Sequence, residues 1–147
     1  MIKIEIYTDG ACNQVAKTGG WSFIMLEDGI TKLEKSGSEI DTTNNKCEML
    51  AAIKSLEEFG LLKFPEPTVV TIYSDSAYLV NAFNQDWISG WLKNGWINSR
   101  KESVLNRNLW EDLIFYQKKH NVIFVQIKRR SNDLAKRVDC MAKKPTT

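Results

Sequence analysis

The chain is poor in histidine, with only His120, and it carries three cysteines, Cys12, Cys47 and Cys140, with no CxxC spacing. A structural zinc site has no ligand set to draw on. The odd cysteine count speaks against a disulfide framework, and a reduced, intracellular and cytoplasmic protein is the simplest reading. Three prolines and eight glycines in 147 residues leave no linker or collagen-like repeat. No apolar run approaches the ~18 residues of a membrane span, and the opening MIKIEIYTDG has no signal-peptide core.

What is present suits one globular domain over 1–147, able to bury a core unaided. Hydrophobic residues make up 43% and charged residues 26%. The net charge of +2 hides an asymmetry. Residues 118–147 hold nine Lys/Arg against two acids, so the rest of the chain is net negative. A basic end on an acidic body suits a polyanionic partner. Nothing in the pattern demands a partner subunit, so a monomer is expected.

The chain reads as three strands, a helix, a strand, three helices, a strand and a final helix. The first strand runs from Ile2 to Thr8 and ends at Asp9-Gly10, with a polar loop over Ala11–Thr18. A buried strand over Trp21–Leu26 and the Asp28-Gly29 turn lead to a third, more polar strand, Ile30–Ile40. Thr42-Thr43-Asn44-Asn45 can cap a helix whose Met49, Ala52, Ile53 and Leu56 share a face and which stops at Gly60. Pro65 and Pro67 bracket a turn. Val69–Tyr73 is nearly all apolar, as expected of a strand covered on both faces. Helices follow to about Phe83, within the tryptophan-rich stretch 86–101, and from Leu105 to His120. Val122–Ile127 is the fifth strand and Ser131–Lys144 the last helix. The fold class is therefore α/β, a five-stranded mixed sheet of three antiparallel and then two parallel strands, flanked by helices.

Four acids stand out. Asp9 and Asp75 each follow a buried strand and precede small residues. A parallel right-handed connection sets such strand ends side by side. Glu48 lies on the apolar side of its helix with Ala52 and Leu56, and Asp139 sits beside Val138 and Ala142 on the last helix. Taken singly, each suits a cap or a salt bridge. Taken together they repel, so either some are protonated or a cation sits among them. Carboxylates without His or Cys suit Mg²⁺ or Mn²⁺, and two such ions ~4 Å apart serve phosphodiester hydrolysis.

TDGAC at 8–12, TTNNKCEMLAAI at 42–53, SDSAYLV at 74–80 and VDCMA at 138–142, with WISGWLKNGW between, resemble ribonuclease H of type 1 over nearly the whole chain. The resemblance implies a ribonuclease H-like fold with a basic protrusion at about 86–104. It implies an enzyme that cleaves the RNA strand of RNA–DNA hybrids with two Mg²⁺ ions, or Mn²⁺ as substitute. Asp9, Glu48, Asp75 and Asp139 would be both metal ligands and catalytic residues, with Asp9 shared between the ions. Products would carry 5′-phosphate and 3′-hydroxyl ends.

Asn44 and Asn45, with Asn13, match RNA-contacting positions, and their amides can donate to and accept from 2′-hydroxyls in the wide minor groove. Trp87 and Trp91, four apart on a helix, would offer a flat surface to deoxyribose beside Lys93, with Trp96 packing the insert on the body. Thr43 and Asn106 would hold a DNA phosphate and Ser99 the DNA sugar. The family's loop histidine is replaced by Arg129, and its later asparagine by Ala135. Arg129 or Arg130 would then meet a phosphate or assist turnover, and His120 is expected at the surface. The rival readings are a hybrid-binding module without catalysis and a DNA-cutting nuclease of the same fold.

Overall fold

A computed structural model describes residues 2–65 and 68–145. Pro67, one of the two prolines expected to bracket a turn, lies outside the described residues. Five strands, β1 (Lys3–Asn13), β2 (Thr18–Glu27), β3 (Ile30–Glu39), β4 (Val69–Ser74) and β5 (Asn121–Gln126), form one sheet in the order β3-β2-β1-β4-β5. The β1–β2 and β2–β3 pairs are antiparallel, and the β1–β4 and β4–β5 pairs are parallel. The helices are α1 (Asn44–Leu62), α2 (Ala77–Asn84), α3 (Trp87–Asn94), α4 (Arg107–Lys119) and α5 (Asp133–Lys143). Element order, fold class and sheet directions are those expected from the sequence.

Strand parity divides the core. Ile4 and Ile6 of β1, Phe23 and Met25 of β2, and Val70 and Ile72 of β4 form one large cluster with α1, α2 and α4. On the opposite face Ile24 and Leu26 meet Val138 of α5, with Tyr7, Leu134 and Met141 around them. A helix therefore covers each face of the β1–β2 pair, which is why Trp21–Leu26 is buried on both sides.

Three expectations are corrected. β1 does not end at Asp9-Gly10. Asp9 pairs with Ser22 and Gly10 with Trp21, and the ladder continues to Asn13 opposite Thr18. Antiparallel pairing overrides the weak strand preference of Asp and Gly, and the polar loop shrinks to 14–17. β4 is buried on alternate residues only, Val70, Ile72 and Ser74, because α5 lies over β1 and β2. The α1 helix runs through Gly60 to Leu62 and ends at Lys63 in the left-handed region. Within a helix glycine is a cost of about 1 kcal/mol, not a stop. Among lesser differences, His120 is half-buried, edge-on to Phe59 and stacked on Tyr116.

Candidate active site

The β1–β4 register builds the first half of the site. Ile6 lies beside Ile72 and Tyr7 beside Tyr73. Two residues further along the same register come Asp9 and Asp75, with equal parity. The β4 strand has ended at Ser74 by then, so the second carboxylate stands at the open end of the sheet beside the first.

Helix α1 brings Glu48. Thr43 caps the helix, its hydroxyl oxygen accepting from the Lys46 N–H at 3.2 Å. Glu48 follows one turn in, 7% exposed, with Ala52 and Leu56 fully buried behind it. The helix can come this close only because residue 10 is glycine. A Cβ there would lie 2.4 Å from both the Cys47 carbonyl carbon and the Glu48 nitrogen. The Gly10 N–H donates to Glu48 Oε1 at 2.8 Å and to Asp9 Oδ1 at 2.9 Å, tying the two acids to one amide. Ser74 Oγ donates to Glu48 Oε2 at 3.3 Å and accepts from the Ser76 N–H at 3.1 Å.

Helix α5 brings Asp139 and is fastened to the sheet by Ser22 Oγ, which donates to the Val138 carbonyl at 2.6 Å. Gly20 gives the close approach here, since a Cβ would lie 2.2 Å from the Ala142 carbonyl oxygen. Asp139 is 2% exposed and ringed by cations. Its Oδ2 accepts from Arg130 at 2.6 Å and Lys143 at 3.2 Å, and its Oδ1 faces Arg129 at 3.4 Å.

The electrostatics separate the acids. Burial pushes Asp9 up to about 7, helped by the charge of Asp75 and opposed by hydrogen bonding with Glu48. Burial, then the charges of Asp9 and Asp75, holds Glu48 well above the usual carboxylate range. For Asp139 burial pulls upward, but hydrogen bonds from Arg130 and Lys143 win and its carboxyl is lowered. Oxygen atoms of Asp9, Glu48 and Asp75 all lie within 4.8 Å of one another. Three carboxylates this close together, with Asp9 and Glu48 held up towards their neutral forms, make a donor set for a hard divalent ion, all oxygen and no nitrogen or sulfur.

The acids open into a cleft of about 840 Å³ that Asn13, Asn44, Asn45 and Arg129 also line. Asn44 and Asn45 are exposed at the start of α1. Asn13 Oδ1 is engaged by the Val15 and Ala16 N–H groups, each at 3.0 Å, which leaves its amide nitrogen as the free donor. The tryptophan-rich segment forms α3 and a turn closed by an Ile97–Ser103 bridge, organised by Asn98. Trp87 is half-buried. Trp91, 6% exposed, packs among Trp87, Trp96 and Trp110, so most of its ring is core. Lys93 and Ser99 are exposed and Asn106 is half-buried. Trp96 is buried as expected, with the Arg107 guanidinium 5.1 Å from its ring centre.

A ribonuclease H family model matches residues 2–146. The chain belongs to the ribonuclease H family. It is 47% identical over 133 residues to ribonuclease H of Caldicellulosiruptor saccharolyticus, covering 90% of this chain and 88% of that protein. It is 46% identical over 143 residues to the Acetivibrio thermocellus enzyme, covering 97% and 93%. The solved structure of LC11 ribonuclease H1 in complex with an RNA/DNA hybrid is 25% identical, with a TM-score of 0.72 over 92% of this chain and 93% of that one.

Sequence reasoning brought forward all four acids, and the structure sets them around one cleft. It missed Ser74 and Gly10 as the groups that hold Glu48. Gly10 had a signal, a glycine directly after a strand-borne acid. Ser74 had none, because a serine before Asp-Ser reads equally well as a turn former. The Lys143 contact was visible as an i,i+4 spacing from Asp139.

Proposed function

We propose that this chain is a divalent-ion-dependent endoribonuclease that hydrolyses the RNA strand of RNA–DNA hybrids, leaving 5′-phosphate and 3′-hydroxyl ends, and that it works as a single-domain monomer in the cytoplasm. The observation that carries this reading is the convergence of Asp9, Glu48 and Asp75 within 4.8 Å beside Asp139, in a cleft edged by paired asparagine amides. The oxygen-only donor set fits Mg²⁺, with Mn²⁺ as substitute. Two such ions, when bound, supply an activated water and a charge sink for the leaving 3′-oxygen. Asp9, Glu48, Asp75 and Asp139 are the groups that would hold them.

The remaining residues orient the duplex. Asn44, Asn45 and the Asn13 amide face the 2′-hydroxyls, donors and acceptors that only the RNA strand offers. Thr43 spends one lone pair on capping α1 and keeps its proton for a DNA phosphate. Asn106 serves the same phosphate, and Ser99 lies by the DNA sugar. The exposed face of Trp87, backed by Trp91, packs on deoxyribose, and Lys93 adds backbone charge. Contacts made mainly to sugar and phosphate give little sequence preference and strong salt dependence.

The test is a labelled RNA–DNA hybrid incubated over a Mg²⁺ and Mn²⁺ titration, with duplex RNA and duplex DNA as controls. Cleavage confined to the RNA strand of the hybrid, and lost in Asp9→Asn, is expected. Hybrid binding without cutting in either metal would make the protein a binding module. Equal cutting of duplex DNA would make it a different nuclease.

A further inference from the structure

The cations around Asp139 have no place in the reading above, which needs that carboxylate free. Both Asp139 oxygens are engaged, Oδ2 by Arg130 at 2.6 Å and Lys143 at 3.2 Å, and Oδ1 by Arg129 at 3.4 Å. A divalent ion takes a carboxylate oxygen at about 2.1 Å. Sharing Oδ2 with the guanidinium hydrogen-bonded at 2.6 Å would set a divalent ion and a unit positive charge about 4 Å apart, a repulsion that works against binding.

The three cations are not equivalent. Lys143 lies on α5 itself, one turn beyond Asp139. Arg129 and Arg130 come from the turn before α5, with side chains 60% and 44% exposed. Arg130 adopts φ +55, the left-handed region, which ends the run from β5 and turns the chain into the helix. Asn132 then caps α5, accepting from the Ala135 N–H at 2.8 Å. Both arginines are therefore exposed long side chains anchored at one end on an ordered turn, with their guanidinium ends on Asp139. They can exchange that carboxylate for another anion without unfolding anything. Arg129 already lines the cleft, and the anion that enters the cleft on the reading above is a nucleic-acid phosphate, whose oxygens a planar guanidinium can engage two at a time.

We infer that Arg130, with Arg129, is a displaceable internal counter-ion for Asp139: it holds that corner of the metal site closed until an incoming divalent ion takes the carboxylate and a substrate phosphate takes the arginine. This rests on the metal-site reading proposed above and adds a positioning role for the arginines. Ion and nucleic acid then bind as a linked pair, and the free protein is a poorer divalent-ion binder than its acidic cluster alone would be.

The experiment is a Mn²⁺ titration of the free protein, read by the electron paramagnetic resonance of unbound Mn²⁺, for wild type, Arg130→Gln, Arg129→Gln/Arg130→Gln and Arg130→Lys. Removing one unit charge a few ångström from a divalent ion changes affinity by about tenfold even in a medium as polar as water. Arg130→Gln is expected to bind Mn²⁺ up to about tenfold more tightly, the double variant more tightly still, and Arg130→Lys close to wild type. In steady-state cleavage the glutamine variants should show a raised KM for hybrid, having lost the phosphate partner. A static ion pair, kept in place when substrate arrives, also predicts tighter Mn²⁺ binding on loss of its charge, but leaves the KM for hybrid unchanged. An unchanged KM in both glutamine variants therefore also overturns the inference. Unaltered Mn²⁺ affinity in both glutamine variants overturns the inference, as does weaker binding in either. If Asp9→Asn binds Mn²⁺ as well as wild type, it is instead the metal-site reading that fails.

Discussion

Asp9→Asn is expected to make the ion-free protein more stable, and by an amount that depends on pH. Asp9 is buried and held up to about 7, against an ordinary value of 3.8. The native state therefore binds this proton more tightly than the unfolded state does. Below about pH 4 both states are protonated and Asp9 costs nothing. As pH rises towards 7 the unfolded chain releases the proton while the native chain retains it, and stability falls. Above about 7 both are ionised and the loss is complete. At about 1.4 kcal/mol per decade the ceiling is about 4 kcal/mol.

Asparagine stays neutral, and its Oδ1 can keep the Gly10 N–H now held at 2.9 Å. Some of the ceiling is lost because in the wild type protonated Asp9 hydrogen-bonds with Asp139, and its carboxylate accepts from protonated Glu48. A net gain of about 1–3 kcal/mol at pH 8 is expected, or roughly 3–10 °C in Tm for a chain of this size. The lowered Asp139 contributes with the opposite sign, its stability being lost as pH falls; the part set by Arg130 and Lys143 is common to both proteins, and the part set by its hydrogen bond with Asp9 changes with the substitution. Urea unfolding at pH 4, 6 and 8 with a chelator present measures the difference. A variant no more stable than wild type at pH 8, or one whose advantage is the same at pH 4, would refute the reasoning.

Gly10→Ala should destabilise the fold by about 1–3 kcal/mol or more, because its Cβ would meet α1 backbone at 2.4 Å. It should also lower cleavage, since α1 can only relieve the clash by carrying Glu48 away from Asp9; thermal melts and initial rates report the two effects. Ser74→Ala should reduce kcat with little change in hybrid KM, because the hydroxyl steadies Glu48 Oε2 at 3.3 Å without facing the duplex. Ser74→Thr, which retains the hydroxyl, should recover most of the rate, and equal loss in both variants would show that packing alone is at stake.

The element order was readable because hydrophobic periodicity survives without knowledge of neighbours. Glu48 was readable as an acid among apolar residues on one helix face. The errors fall where a neighbour decides. Asp9-Gly10 reads as a terminator by intrinsic preference, yet pairing with Ser22 and Trp21 carries the strand through. Val69–Tyr73 reads as doubly covered by composition, yet the position of α5 leaves Thr71 and Tyr73 only half-covered, the latter stacked on Tyr7. Arg129 and Arg130 were placed near the site by the resemblance to ribonuclease H, but the anion they meet depends on the left-handed turn at Arg130. A long, flexible cation carries no mark of its partner in one dimension.

The acidic cluster is therefore unevenly compensated. Asp139 has three cations within 3.4 Å, whereas Asp9 and Glu48 are relieved chiefly by the shared Gly10 amide and by holding protons. A divalent ion entering the free protein would meet least opposition where no cationic side chain has to leave, between Asp9, Glu48 and Asp75. It displaces only protons there, and that step becomes easier as pH rises through 7. The Asp139 corner asks for the removal of a guanidinium, a step that pH barely touches and that an arriving phosphate assists. Occupancy of the two halves should thus respond to different variables, the first to pH and the second to nucleic acid. The rigid β1–β4 register serves the first half, and the exposed arginines on the turn before α5 serve the second.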